Sequence, residues 1–442
     1  MRGSSECLNW QVSRILGGMA AVLFLFVVAI PPPSALANRA TNVVLFIGDG
    51  MGFEHVKAAR YYKGAPLCFE TWPSTGSVDT ASASSPTPSD SAAGATAIAT
   101  GCRVSNSVIS TSIPGNSKAL TTVLEYLKAK GKRTGLVTTD FMSEATPAAF
   151  GAHTENRYNS DAITNDYLTG SRPNILYGGG GMTAKAASNA GYRVVTTLAG
   201  MQAIDTATAT NISGQFSTGR LPYELGETWT TEPHIWQMTS NAIEVLRHGQ
   251  SGFFLMVEGA NIDEASHFSQ TGAMIHEVLA FENAVRTAQE WALERGDTLI
   301  VVTADHETGG LVVTSDNGIS NTPGVSWTSP GTHTSTNVGI WAWGAGAGYA
   351  GGQTANTNTH MAMLNSTLLK STCAGAFTTA TNPATIWQAV SGDVYRVESA
   401  AQLCTPAWSP VCVVTASATS ITIADTNAVP FTSRFYRIIS LP

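Results

Sequence analysis

An α/β chain is predicted, with a largely parallel central sheet flanked by helices on both faces and a small all-β module after it. Continuous apolar runs at 42–47, 253–258 and 298–303 have the pattern of strands covered on both faces. Segments of helical periodicity lie between them, and each run ends in Gly, Asp, Glu or His, at the edge where open α/β sheets bind ligands. After Cys373 the texture changes to short strand-like runs separated by Ser, Thr, Pro and Asn.

The chain's 442 residues are ample for a large core, and 43% of them are apolar. A formal net charge of −7 with no basic cluster argues against nucleic acid as a partner. Arg2 and Arg14 precede an apolar run from Ile15 to Ile30, then three prolines and Ala35-Leu36-Ala37, a signal-peptidase pattern. Residues 1–37 are therefore read as a cleaved signal, which makes the chain exported: periplasmic, cell-surface or secreted. A retained anchor is the alternative, although the run is shorter than the ~20 residues that span a bilayer. No later stretch is long and apolar enough to span. Export permits disulfides. Removal of Cys7 leaves five cysteines, of which Cys404 with Cys412 is the favoured pair and Cys68 with Cys102 the weaker one.

Taken in order, the strand at Asn42 to Ile47 ends in Gly48-Asp49-Gly50-Met51-Gly52, a turn that leaves the Asp49 carboxylate facing the crevice. A helix follows near Phe53 to Lys63. Pro86 and Pro88 then hold the chain extended before Asp90-Ser91 and a run of small residues that Gly101 can stop. Ser91 is placed at a helix N-terminus, where unpaired N–H groups and the helix dipole favour an anion. Taken by itself this stretch favours a capped Ala-rich helix with Ser91 only as N-cap; the rest of the chain changes that. A helix around Ala119 to Gly131 precedes a strand at Thr134 to Thr139, which feeds Glu144, Thr146, His153 and Arg157. The four-residue step would put His153 and Arg157 on one helix face, and a guanidinium there can fork onto a tetrahedral anion. From Tyr158 to Gln250 the sequence reads as scaffold, with a flexible Gly178 to Gly181 run, a strand at Asn174 to Tyr177 and a helix near Trp236 to Leu246.

The strand at Phe253 to Glu258 leads into Asp263 and His267, four apart, so one helical turn aims a carboxylate and an imidazole at one point. A core helix covers Met274 to Arg295. The strand at Thr298 to Thr303 ends in Asp305-His306, and His333 precedes a fourth strand at Val338 to Trp343. The β module begins near residue 383, with runs at Val394 to Glu398, Val411 to Thr415, Ser420 to Ile423 and Phe435 to Ile439, and Trp387 and Trp408 as candidate core aromatics.

Each residue singled out has a dull explanation, and their joint occurrence is what points to chemistry. Asp49, Asp263, His267, Asp305, His306 and His333 offer mixed oxygen and nitrogen donors suited to zinc, whereas Asp49, Thr146 and Glu258 offer the all-oxygen set magnesium prefers. A serine at a helix N-terminus and an arginine add what phosphoryl transfer needs.

These motifs, Phe46-Ile47-Gly48-Asp49-Gly50-Met51-Gly52, Asp90-Ser91-Ala92-Ala93, Ala145-Thr146-Pro147-Ala148, Val257-Glu258-Gly259, Ile262-Asp263 with His267, Thr303-Ala304-Asp305-His306 and His333-Thr334, resemble the alkaline phosphatase family in order over roughly residues 40–372. The resemblance implies the alkaline-phosphatase-like three-layer sandwich over 38–375, with the β module at 383–442 outside it. It makes Ser91 the nucleophile of a phosphoserine intermediate and Arg157 the phosphate clamp. It implies two zinc ions, one held by Asp263, His267 and His333 and the other by Asp305 and His306, with Asp49 bridging to one magnesium completed by Thr146 and Glu258. The implied activity is metal-dependent hydrolysis of small phosphomonoesters to inorganic phosphate, of broad specificity and best at alkaline pH. Glu144 and Glu264 stand where family members vary, which leaves the magnesium affinity open. Only 26 residues separate His306 from His333, where relatives often insert a subdomain at a dimer interface, so the family's usual homodimer is an open expectation. A phosphodiesterase or sulfatase-like hydrolase is the nearest alternative, and a non-catalytic phosphate- or metal-binding surface protein the more distant one.

Overall fold

The structure is a computed structural model that describes residues 39–226, 231–352, 354–367, 384–388, 394–400, 409–415, 420–424 and 435–441. Its centre is a nine-stranded sheet in the order β2-β11-β8-β1-β7-β3-β4-β6-β5. In chain order these are β1 (Asn42–Gly48), β2 (Ser74–Val78), β3 (Arg133–Thr138), β4 (Ile175–Gly178), β5 (Arg193–Val195), β6 (Ile212–Gln215), β7 (Phe253–Gly259), β8 (Thr298–Thr303) and β11 (Val338–Gly344). Between β8 and β11 lies an antiparallel hairpin, β9 (Glu307–Ser315) and β10 (Gly324–Thr334). β1 is central, parallel to β7 on one side and to β8 on the other, and all seven of its residues are buried. The fourth predicted strand, β11, departs from the parallel reading because it runs antiparallel to both β8 and β2. It is entered directly from β10, with no crossover helix to return the chain to the opposite edge.

Helices cover both faces, as the doubly apolar strands require. The principal ones are α1 (Phe53–Lys63), α2 (Ser91–Thr100), α3 (Val123–Ala129), α4 (Ala145–Gly151), α5 (Ile235–Leu246), α6 (Asn261–His267), α7 (Thr271–Ala292) and α8 (Thr357–Thr367). α7 packs on α1 and α5, while α2 packs on α4 and α8. Alternation along β7 separates the two layers: Phe253 meets Trp291 at 5.6 Å between ring centroids, and its neighbour Phe254 stacks on Phe150 of α4 at 5.9 Å. Phe46 of β1 meets Phe281 of α7 edge-on at 5.8 Å.

The Gly178 to Gly181 run, expected to be flexible, is pinned instead. Gly180 donates to Gly219 O (3.0 Å) and accepts from Met142 N (3.1 Å), and a Cβ on Gly179 would stand 1.8 Å from Gly219 O. Glycine is there because two backbones touch. The Cys68–Cys102 pairing does not form: the Cys68 thiol is free and reaches Glu282 O at 3.9 Å, while Cys102 is disulfide-bonded. Cys404 and Trp408 lie outside the described residues, as does the side chain of Trp387. In the C-terminal region β13 (Val394–Ala400) pairs antiparallel with β14 (Ser409–Thr415) and β16 (Phe435–Leu441), and β12 (Ala384–Gln388) with β15 (Ser420–Ala424); β13 to β16 match the predicted strand runs, and β12 is a strand the sequence reading did not include.

Glu277 of α7 is buried, and its Oε1 accepts the Glu224 N–H at 2.7 Å. Burial pushes its carboxyl up to about 8, and the nearby Glu224 charge adds to the rise, against the lowering by that hydrogen bond. The folded state then holds a proton that the unfolded state releases near 4.5, so this group's contribution to stability is lost as pH rises from about 4.5 to 8. Glu277→Gln keeps an acceptor for Glu224 N–H without the charge. It is expected to flatten the fall of Tm across that interval and to raise Tm at pH 8; an unchanged Tm-versus-pH curve would contradict the assignment.

Candidate active site

Ser91 opens α2, all ten residues of which are buried. The N-cap is Asp90, not Ser91: its Oδ1 accepts Ala93 N–H at 3.0 Å and its Oδ2 accepts Ser107 N–H at 2.8 Å. With capping done by its neighbour, the Ser91 hydroxyl is left to the crevice, where Oγ stands 3.3 Å from His306 Nε2. The small-residue composition of α2 has a direct cause. A Cβ on Gly94 would lie 2.7 Å from the Asp305 carbonyl oxygen, so the helix backbone rests on the backbone of the loop that carries Asp305 and His306. Gly101, at φ 74°, ends the helix in the left-handed conformation anticipated for it.

Asp49 follows β1, Glu258 is the penultimate residue of β7, and Asp305 and His306 follow β8, so three adjacent parallel strands deliver four of the expected residues to one edge. Gly50 (φ 68°) turns the chain there, donates its N–H to Asp305 Oδ1 at 3.2 Å, and has no room for a side chain, since a Cβ would meet Asp263 Oδ1 at 2.6 Å. Asp263 and His267 share a face of α6 as the spacing predicted, 3.1 Å apart from Oδ2 to Nε2. His333 arrives on β10. Its Nδ1 donates to Ser89 O (2.8 Å), which aims Nε2 at His267 Nε2 (3.1 Å) and Asp263 Oδ1 (3.8 Å). Its ring also stacks on His306 with centroids 3.6 Å apart. Two donor clusters result, Asp263 with His306 and His333, and Asp49 with Asp305 and His306, the donor atoms of each lying within 4.8 Å of one another. His306 belongs to both, and His267 joins the first through its contacts with Asp263 and His333.

Thr146 lies in the first turn of α4, buried, while Glu258 Oε2 accepts the Thr138 hydroxyl at 2.5 Å. His153 and Arg157 do not share a helix face, because α4 ends at Gly151 and Thr154 pairs by backbone with Ile109, which pulls the chain extended. His153 turns to Leu120 O (3.1 Å) and Glu125 (3.4 Å). Arg157 reaches the site from this loop: Nη1 is 3.4 Å from Asp90 Oδ2, Nη2 is 3.4 Å from Glu144 Oε2, and Nε is buried with no hydrogen-bond partner. The alkaline phosphatase family model matches residues 40–181 and 177–329.

The chain belongs to the alkaline phosphatase family. Alkaline phosphatase 4 of Bacillus subtilis (strain 168) is 37% identical over 293 residues, 62% of this chain and 62% of that protein. Alkaline phosphatase of Escherichia coli (strain K12) is 31% identical over 341 residues, 63% of this chain and 72% of that one. The chain thus spans less than two thirds of the length of the Bacillus relative. Among solved structures, the cold-active enzyme of Shewanella sp. superposes with a TM-score of 0.68 at 26% identity, covering 74% of this chain and 100% of that one. The alkaline phosphatase of the Antarctic bacterium TAB5 gives 0.67 at 28%, covering 74% and 98%, and a variant of it has Mg bound in its M3 site.

The electrostatics of this family member's site are those of a place short of positive charge. Burial, and then Asp305 and Asp263, hold Asp49 well above the usual carboxylate range. Burial likewise raises Glu258 to about 8 and, with Asp263, Asp305 to about 7. Asp263 goes the other way: burial alone would raise it, but the His267 hydrogen bond and the nearby His306 and His333 outweigh that and hold it low. Burial and the neighbouring His333 keep the His306 imidazole well below its ordinary value. Asp49 Oδ1 and Asp305 Oδ2 are buried without a well-formed hydrogen bond, at 3.5 and 3.2 Å from the same His306 Nε2, an under-satisfaction that protein interiors rarely tolerate. Divalent cations would satisfy these oxygens and neutralise the carboxylates together, so the donor set fits the metals the family resemblance implies.

Sequence reasoning missed Thr308, whose hydroxyl donates to Asp263 and lies 3.3 Å from His306 Nδ1, and Arg220, which pairs with Glu264 and stands 3.8 Å from Asp140. It also missed the β9–β10 hairpin that delivers His333, although Asp316-Asn317-Gly318 between the two strands is a turn signal that marks it. Gly94→Ala tests the backbone contact under Ser91. Forcing α2 off the Asp305 loop is expected to cost about 1–3 kcal/mol in denaturant unfolding and to lower metal content. Wild-type stability and metal content would mean that the contact positions nothing.

Proposed function

We propose that the chain hydrolyses phosphate monoesters through a phosphoserine formed on Ser91. The observation that carries this reading is the placement of Ser91 Oγ, at the start of a buried helix and 3.3 Å from Nε2 of His306, the histidine common to both donor clusters. Asp263, His267 and His333 would hold one zinc, Asp305 and His306 the other, and Asp49, shared with the second zinc, would hold magnesium with Thr146 and Glu258. Bound there, these ions supply the positive charge that lowers the barrier to deprotonating the nucleophile and to charging the leaving oxygen.

The chain's own groups do the rest. Ser91 Oγ loses its proton and attacks phosphorus, the ester P–O bond breaks, and the departing alkoxide takes up a proton as the alcohol. Water then attacks the same phosphorus, the P–Oγ bond breaks, and inorganic phosphate and the Ser91 hydroxyl are regenerated. Arg157 is held by Asp90, the residue before Ser91, and by Glu144, and its planar fork suits two non-bridging oxygens of a monoester. Asp90 caps the helix and anchors that arginine at once, which fixes nucleophile and clamp relative to each other. None of the residues named grips the alcohol, which is why broad specificity belongs to the reading.

Export through the 1–37 segment, to periplasm, cell surface or medium, is part of the proposal, as are the boundaries at 38–375 and 383–442 and the homodimer. No helix among the described residues is long and apolar enough to cross a membrane.

The test is hydrolysis of a chromogenic phosphomonoester against the matching diester by the purified chain, after chelation and with zinc and magnesium restored. Metal-restored monoesterase activity is expected, and diesterase activity exceeding it would remove Arg157 from the role of clamp. Ser91→Ala is expected to reduce kcat on the order of 10³-fold or more, and Arg157→Ala to reduce kcat/KM about 10- to 100-fold, the worth of lost charged hydrogen bonds. Chelation should also lower Tm, by an amount equivalent to about 2.7 kcal/mol for each site formerly at one hundred times its Kd. A Tm indifferent to chelator would argue that the under-satisfied carboxylates are satisfied some other way.

A further inference from the structure

We propose that Arg220 is a positioning residue for the magnesium set, which it organises by drawing Asp140 and Glu264 away from the metal and tying the ends of β3 and β7 together. The inference rests on the reading of Asp49, Thr146 and Glu258 as that set. Seven acidic side chains crowd this edge of the sheet besides the cap Asp90: Asp49, Asp140, Glu144, Glu258, Asp263, Glu264 and Asp305. Arg157 takes Asp90 and Glu144. Arg220 pairs with Glu264 and lies 3.8 Å, Nε to Oδ1, from Asp140. The two arginines between them engage the acids that are not in the ligand set and leave the four that are.

Arg220 is fixed on both sides by the backbone. Before it, Gly219 O accepts from Gly180 N at 3.0 Å, at the contact where Gly179 has no room for a Cβ. After it, Leu221 N donates to Thr139 O at 2.7 Å, and Leu221 O accepts from Asn261 Nδ2 at 3.0 Å. Its two acidic partners each adjoin a residue of the metal site. Glu264 follows Asp263 on α6. Asp140 N–H donates to Thr138 Oγ1 (2.9 Å), and that hydroxyl donates to Glu258 Oε2 (2.5 Å), so a short hydrogen-bonded path runs from the arginine's partner to a magnesium ligand. Thr139 Oγ1 in turn accepts the N–H groups of Ala260 and Asn261 at 2.9 and 3.2 Å. Partners of this kind orient ligands and typically change metal affinity 10- to 100-fold when lost. Arg220 is itself partly exposed, so its replacement leaves the core intact.

The experiment is calorimetric titration of Mg2+ into zinc-loaded, magnesium-depleted protein, wild type against Arg220→Gln and Glu264→Gln, with kcat and KM measured alongside at saturating Mg2+. Arg220→Gln is expected to weaken Mg2+ binding about tenfold or more while KM for the phosphomonoester stays within about twofold. Glu264→Gln cuts the same link from its other end with the arginine retained, and is expected to shift Mg2+ affinity in the same direction. Wild-type Mg2+ affinity in both variants would overturn the inference, as would a raised KM with unaltered Mg2+ binding, which would make Arg220 a substrate contact. Titration needs no turnover, so the two failures separate: a wild type that takes up no Mg2+ refutes the magnesium set itself, whereas a wild type that binds it and variants that bind it equally refute only the role of Arg220.

Discussion

Four carboxylates, those of Asp49, Glu258, Asp263 and Asp305, are buried together at the C-terminal edge of the sheet, and their mutual repulsion is the constraint that the surrounding structure answers. Parallel pairing creates the problem, because β1, β7 and β8 run side by side in one direction and release their terminal residues at one place. The same geometry prepares the answer. Histidines 267, 306 and 333 converge from α6, the β8–β9 corner and β10, and the positive end of α2 points into the same space at Ser91. Protein groups alone leave Asp49, Glu258 and Asp305 with raised carboxyls and two of them with under-satisfied oxygens, so what remains is a demand for cations with oxygen and nitrogen preferences.

What the sequence made legible follows from how local each signal is. The strands at the centre of the sheet are readable because both faces are covered, which leaves a run such as Asn42–Gly48 apolar throughout and gives the Asp after it a defined position. Asp263 and His267 are readable because a helical turn converts a spacing of four into proximity. His333 is readable as a residue but not as a position, since it depends on a hairpin strand, β10, that has no buried residue and so no apolar face to mark it. Arg157 shows the opposite failure: its role is suggested by its charge, but the helix drawn for it is undone by the backbone pairing of Thr154 with Ile109, far earlier in the chain. Arg220 carried no signal, because a lone arginine in a polar loop looks the same whether it faces solvent or two carboxylates.

The precision of the site rests less on side-chain packing than on backbones in contact. Backbone meets backbone at Gly94, where α2 lies on the Asp305 loop, and at Gly179, where the segment before Arg220 passes, while at Gly50 the β1 turn makes room for the Asp263 carboxylate and the Thr308 side chain. At each point glycine removes the one atom that would hold the chains apart. Side chains can repack around a substitution, but a main chain held by its own hydrogen bonds has little freedom to retreat. The spacing of the Ser91 and His306 backbones is therefore set by the sheet and helix frame, which leaves only their rotamers to complete the approach of Oγ to Nε2.

That frame makes charge and fold inseparable here. Removing cations from such an edge does more than stop chemistry, since it leaves carboxylates whose only relief is to take up protons, lose their contacts with histidine, or move apart. Moving apart is resisted by the parallel pairing of the strands that carry them, and Asp263 is already committed to its histidines. Protonation is then the remaining relief, and it falls on the deepest groups, Asp49, Glu258 and Asp305, the donors an incoming cation has to find ionised. Metal uptake at this edge competes with those protons, so the strand frame that gathers the carboxylates also ties cation affinity to pH.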